Sequence, residues 1–166
     1  MGVDYDPKKA HEYYEKHKKL KGRRSTKGFS DTQKEQWAYA KDQLKNEHKS
    51  NNVAIAESKK AALAQVSENV KAIKEELSEK ASAQIDSLRE KLKNMSPEEK
   101  KRKKAEIQAV ISQIRESVKG QKALAGEKGA EIKDTVKANA TTAKETEKAD
   151  YEKRLDTAYD KIKGND

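Results

Sequence analysis

The only imidazoles in the chain are His11, His17 and His48, and there is no cysteine, so any transition-metal site would have to be built from these and carboxylates. His11 and His17 stand six apart, which places them on different faces of a helix, whereas a helical metal pair uses the i,i+4 spacing. No metal site is expected. The 29 Asp and Glu residues fall in runs of mixed charge. Carboxylates in such runs are expected to be solvated, so none is a candidate general acid with a raised pKa. No phosphate loop or cofactor motif stands out, and the chain reads as non-enzymatic and free of cofactors. The chemistry that remains is that of clustered positive charge. Arg23, Arg24 and Lys27 close one basic run that begins at Lys18, and Lys100, Lys101, Arg102, Lys103 and Lys104 form another. Such clusters can contact an acidic protein surface or the phosphates of nucleic acid, the latter without sequence preference and with strong salt dependence. Nothing in the pattern matches a base-reading module. Trp37, Tyr13 and Tyr14 could stack on bases, but their helical spacing suits packing anchors better.

What must position these clusters follows from composition. Hydrophobic residues make up 33% of the 166-residue chain and charged residues 40%, against roughly 45–50% and about 25% in ordinary globular domains. A thick multilayer core is excluded. Long helices burying a narrow seam fit such a chain, and a disordered chain that folds on its partner is the competing reading. The apolar residues are periodic and proline occurs only twice, which favours helices. No stretch approaches the roughly 18 apolar residues that span a bilayer, so no membrane partner is expected. The net charge of +9 is uneven: residues 1–29 and 91–104 each carry +5, while 30–90 carries −1 and 105–166 is neutral. Balanced arms with charged ends suit solvated helix faces joined by contact segments.

Asp6-Pro7 begins a short helix carrying Tyr13, Tyr14 and Leu20 on one side, and Gly22 stops it. The stretch Gly22 to Phe29 is a basic linker, so residues 1–29 are expected as a short helix with its linker. Ser30 and Gln33 make a capping box before a helix with Trp37, Ala40 and Leu44. From Leu63 the seam runs Leu63, Val66, Val70, Ile73, Leu77, Ala81, Ile85, Leu88, Leu92, Met95. Its steps of three and four read as heptads with a stutter near Ala81. Asn51-Asn52 is a candidate hinge, and Gly120, Gly126 and Gly129 weaken the second arm.

The break is Ser96-Pro97-Glu98-Glu99, a helix-start signature that puts a turn near 94–98. Around it the apolar residues mirror one another: Leu88 answers Ile107, Ile85 answers Val110, Ala81 answers Ile114, Leu77 answers Val118 and Leu63 answers Ile132. Tyr151, Leu155, Tyr159 and Ile162 then return to the region of Leu44, Ala40 and Trp37. The expected fold is all-α, a short N-terminal helix followed by a long antiparallel coiled-coil-like hairpin over 30–166. Its seam contacts are Leu63, Val70, Leu77, Leu88, Ile107, Ile114, Trp37 and Leu155. Because parallel pairing between chains would satisfy each seam as well, a homo-oligomer is expected alongside the hairpin.

The segment Tyr5 to Gly28, YDPKKAHEYYEKHKKLKGRRSTKG, resembles the opening of small proteins encoded by tailed phages and prophages of Gram-positive gut bacteria. Those proteins share a YDP…AHEYY…H…LKGR opening and a charged helical remainder, and are encoded among virion-structure and assembly genes. The resemblance covers about 24 residues and implies a phage structural or assembly role, other phage structural proteins as partners, and a location in the virion or the host cytoplasm. A non-specific DNA-binding or host-directed accessory protein is the alternative.

Overall fold

The computed structural model describes Glu12 and residues 24–164. Apart from Glu12, the short helix expected near the N-terminus and the site residue Arg23 lie outside the described residues. Two long helices, α1 (Asp31–Lys93) and α2 (Pro97–Lys163), pack against each other as an all-α hairpin.

The helix ends form for local reasons. At the start of α1 the Ser30 amide donates to Gln33 Oε1 at 2.8 Å and the Gln33 amide donates to Ser30 Oγ at 3.1 Å, a reciprocal capping box. Before it, Gly28 takes a φ of +89°, a conformation that costs glycine little, in the turn closed by the Phe29 amide on Thr26 O. At the turn between the helices, the Asn94 and Met95 amides donate back to Glu90 and Leu92. Ser96 then caps α2, its Oγ accepting from the Glu99 amide at 3.3 Å, and Pro97 fills the first helical position, where no N–H is needed. Each helix has acidic residues in its first turn and lysines in its last, complementing its dipole.

By their contacts the residues divide into two compact units, one of Met1–Ile55 with Thr142–Asp166 and one of Ala56–Thr141. In the first, Trp37, Leu155, Tyr159 and Ile162 are buried, with Phe29, Ala40, Leu44 and Tyr151 packed on them. Tyr159 stacks on Phe29 at 5.5 Å and meets Trp37 edge-on at 5.4 Å, both favourable ring geometries. In the second, Ile85, Ile107 and Ile111 form the buried cluster, with Leu88, Leu92, Met95 and Ile114 against it.

The buried stripe corrects the heptad expectation. Gln33, Leu44, Ile55, Val66, Leu77 and Leu88 are each buried or half-buried, and so are Trp37, His48, Lys59, Val70, Ala81 and Leu92. Both rows advance by eleven. On α2 the row Ile107, Val118, Gly129, Ala140, Tyr151 and Ile162 does the same. An eleven-residue repeat is about 3.67 residues per turn, so near the helix's own period that the stripe drifts little along each helix. Three expected seam members therefore fall outside it: Ile73, Val110 and Ile132 are exposed at 47%, 37% and 52%. Lys74 holds the seat expected for Ile73, Ile111 that of Val110, and Gly129 sits where the second arm comes closest to Val66 and Val70.

The weak points are helical throughout. At Asn51-Asn52 the helix persists because both side chains find partners across or along it. Gly129 is required by close approach, since a Cβ there would stand 2.5 Å from Val70 Cγ2.

Candidate functional site

Among the described basic residues, Arg24 is used inside the fold, whereas the run at the turn is presented. Arg24, expected as an outward contact, is only half-exposed and turns inward. Its Nε donates to Asp156 Oδ1 at 3.0 Å and its Nη2 is bonded to Glu152 Oε2. This corrects the expectation for Arg24: its acidic partner is the last part of α2, where Glu152 and Asp156 stand i,i+4 on one face. The backbone beside it is fixed too, since Tyr159 donates its hydroxyl to Ser25 O at 2.6 Å. Gln33, the capping residue, donates from Nε2 to Ile162 O at 3.1 Å and so ties the start of α1 to the end of α2. Lys27 is exposed.

A second polar cluster in the same unit centres on Glu147. Its Oε1 accepts from Arg154 Nη2 at 2.7 Å, from Asn51 Nδ2 at 3.1 Å and from His48 Nδ1 at 3.3 Å. Arg154 spans to α1 with a second bond, Nη1 to Glu47 Oε2 at 2.9 Å. An ionised carboxylate only accepts, so His48 carries its proton on Nδ1 and takes the Asn52 amide on Nε2 at 3.2 Å. The imidazole lies flat on Tyr151, ring centres 4.3 Å apart. Burial alone would raise the Glu147 pKa, but the bonds from Asn51 and His48 and the charge of Arg154 together outweigh it and hold it below 4.5. Glu147 is thus a fixed acceptor rather than a proton donor. With its side chain only 12% exposed, it also corrects the expectation that the carboxylates are all solvated.

The other segment lies at the turn. Lys100, Lys101, Arg102, Lys103 and Lys104 are all exposed. Lys100, Lys101 and Lys104 line a surface pocket with Arg89, Leu92 and Lys93. Five cations from both sides of the turn surround one leucine, an arrangement suited to a phosphate or carboxylate group. Arg89 and Lys93 were not singled out by sequence, although both lie within five residues of the turn.

Of the expected seam residues, Trp37, Ile107 and Leu155 are buried and Leu63, Val70, Leu77, Leu88 and Ile114 half-buried, whereas Ile73, Val110 and Ile132 are exposed. Among the described residues no group of three or more His, Asp or Glu side chains could hold a metal, and no helix is long and apolar enough to cross a membrane.

Fold and site together define a two-helix antiparallel hairpin with a structured polar end and a basic turn. Compared with family models, with curated proteins and with solved structures, the chain matches none.

Proposed function

We propose that this chain is a non-enzymatic structural or assembly protein of a phage particle, acting through helix-mediated self-association, with its basic segments as contacts to acidic surfaces. The observation that carries the self-association is that large apolar side chains remain exposed outside the contact between the two helices: Ile73, Val110, Leu124 and Ile132 keep 37–52% of their surface. Large exposed apolar side chains rimmed by polar residues mark protein contact sites. The half-buried ionisable clusters support a structural role, because Arg24 pairs with Glu152 and Asp156, and Arg154 with Glu147. The phage assignment rests on the resemblance of residues 5–28.

The five-cation pocket at the turn favours one second reading, sequence-non-specific binding of nucleic acid through phosphates. Light scattering of the full chain at low and high salt, with and without duplex DNA, separates the two. A self-assembly indifferent to DNA is expected. A monomer that moves onto DNA only at low salt overturns the structural reading in favour of the alternative.

A further inference from the structure

The two grooves that run along the hairpin within residues 56–141 differ in charge. One is lined by Asp86, Arg89, Arg115, Lys119 and Lys122 beside small polar residues and Ile85. The other has Leu77, Ala81 and Ile114 in it and Gln84, Gln113 and Gln121 among its remaining lining residues, with Lys80 its sole charge. In a chain with 40% charged residues and a net charge of +9, a nearly uncharged groove is the exception.

The exposed apolar residues extend this same flank. Val110 lines the groove, Ile73 precedes Leu77 by one helical turn, and Leu124 follows Gln121 and Ser117 at steps of three and seven, which lie on one helix face. Leu77 and Ile114 remain half-exposed at the groove's centre. With Ile73 and Val110 exposed beside them, the apolar seam of the hairpin is incomplete on this side.

We infer that the Leu77–Ile114 groove is a homotypic interface, filled by the same groove of a second copy of this chain. Charge selects this occupant. Two copies at +9 repel across any basic face, whereas the uncharged flank lets them approach, and an acidic partner would be drawn to the basic groove instead. The glutamine amides fit self-pairing, because each carries both donors and an acceptor, so whichever two glutamines a two-fold axis brings together can bond in either direction. Two hairpins joined this way make a four-helix arrangement whose centre is the half-exposed Leu77 and Ile114.

The inference rests on the self-association reading, and one experiment separates their failures. Sedimentation equilibrium of the full chain is run on the wild type, on Val110→Glu with Leu124→Glu, and on Ser82→Glu in the charged groove. Wild type and Ser82→Glu are expected to dimerise alike. The double variant, which buries unpaired carboxylates in an apolar contact, is expected to raise the dissociation constant at least about a hundredfold with helix content unchanged by circular dichroism. A double variant that dimerises like the wild type overturns this face and leaves self-association standing. A wild type monomeric at every concentration overturns both. If the double variant loses helix, single cysteines decide in its place: the chain has no cysteine of its own, so Gln113→Cys, beside Ile114 at the centre of the groove, should cross-link copies under oxidant and Ser82→Cys should not, and no cross-linking by Gln113→Cys refutes the interface.

Discussion

Replacing Gly129 by alanine tests the packing of α1 on α2 where a glycine allows close approach. In an open helix the change is stabilising by about 1 kcal/mol, because glycine is that much the poorer helix former. At position 129 the new Cβ would lie 2.5 Å from Val70 Cγ2, with Val70 Cβ at 3.8 Å and Val66 Cγ1 at 3.9 Å. Val70 is β-branched and stiff about χ1 in a helix, so relief requires an off-rotamer valine or a backbone shift, at about 1–3 kcal/mol. The clash wins, and Gly129→Ala should destabilise by up to about 2 kcal/mol. Two internal controls isolate the clash from propensity. A Cβ at Gly120 meets nothing within 4 Å, and one at Gly126 meets only the flexible end of Lys74 at 3.6 Å, so both alanines should stabilise. Urea unfolding followed by circular dichroism at one protein concentration measures all three. In a Val70→Ala background the obstructing methyl is gone, and Gly129→Ala should become stabilising by about 1 kcal/mol like the others. If Gly129→Ala stabilises the wild type as much as Gly120→Ala does, α1 and α2 do not approach as described.

Other perturbations probe the polar end. Trp37→Ala removes the most buried side chain of its cluster, 3% exposed, and should cost about 3–5 kcal/mol; hydrogen exchange should show protection lost first around residues 31–45 and 150–163, and a loss confined to 97–115 would refute that placement. Arg24→Ala removes the cation that Glu152 and Asp156 share and should cost about 1–2 kcal/mol, less than a fully buried pair because some exposure remains. Arg24→Lys should recover only part of it, since the ammonium cannot serve both carboxylates with a planar fork; full recovery in thermal melts would show that charge alone matters. The folded pKa of Glu147 is depressed, so its contribution is fully present above 4.5 and is lost as pH falls through the lower folded value. Melts between pH 7 and 3 should therefore show a steeper acid loss in the wild type than in Glu147→Gln, and parallel curves would contradict the cluster.

The hairpin was legible because its signals are local or symmetric. Ser96-Pro97 and Ser30 with Gln33 announce helix starts by residue type alone, and Leu88 with Ile107 locates the pairing. The eleven-residue stripe was not legible because a search for apolar residues passes over several of its seats. His48, Lys59, Lys74 and Glu147 occupy stripe positions, the end of Lys74 lying over Gly126 of the partner helix. A reader following hydrophobicity takes Ile73 in place of Lys74, one residue off, and counts Val110 as well as Ile111. Arg24 misled for a different reason. In sequence it is one cation in a basic run, and only the return of α2 brings Glu152 and Asp156 to it, 128 and 132 residues away.

The same polar seats bear on register. A stripe that repeats every eleven residues would tolerate a slip of one repeat if every seat held a similar aliphatic side chain, as uniform coiled coils do. Here the seats are unlike. A slip would set Val118 or Ala140 against Val70 in place of Gly129, where even a Cβ has no room. It would also take Glu147 away from His48 and Asn51, leaving a sheltered carboxylate with only Arg154 from its own helix. Removing a partner from a sheltered charge costs more than the pair contributes when intact. The polar clusters therefore discriminate among registers more than they stabilise the chosen one. With only Asn94 to Ser96 joining the helices, turn and clusters specify the same alignment, which leaves the exposed apolar flank in residues 56–141 in one defined pattern.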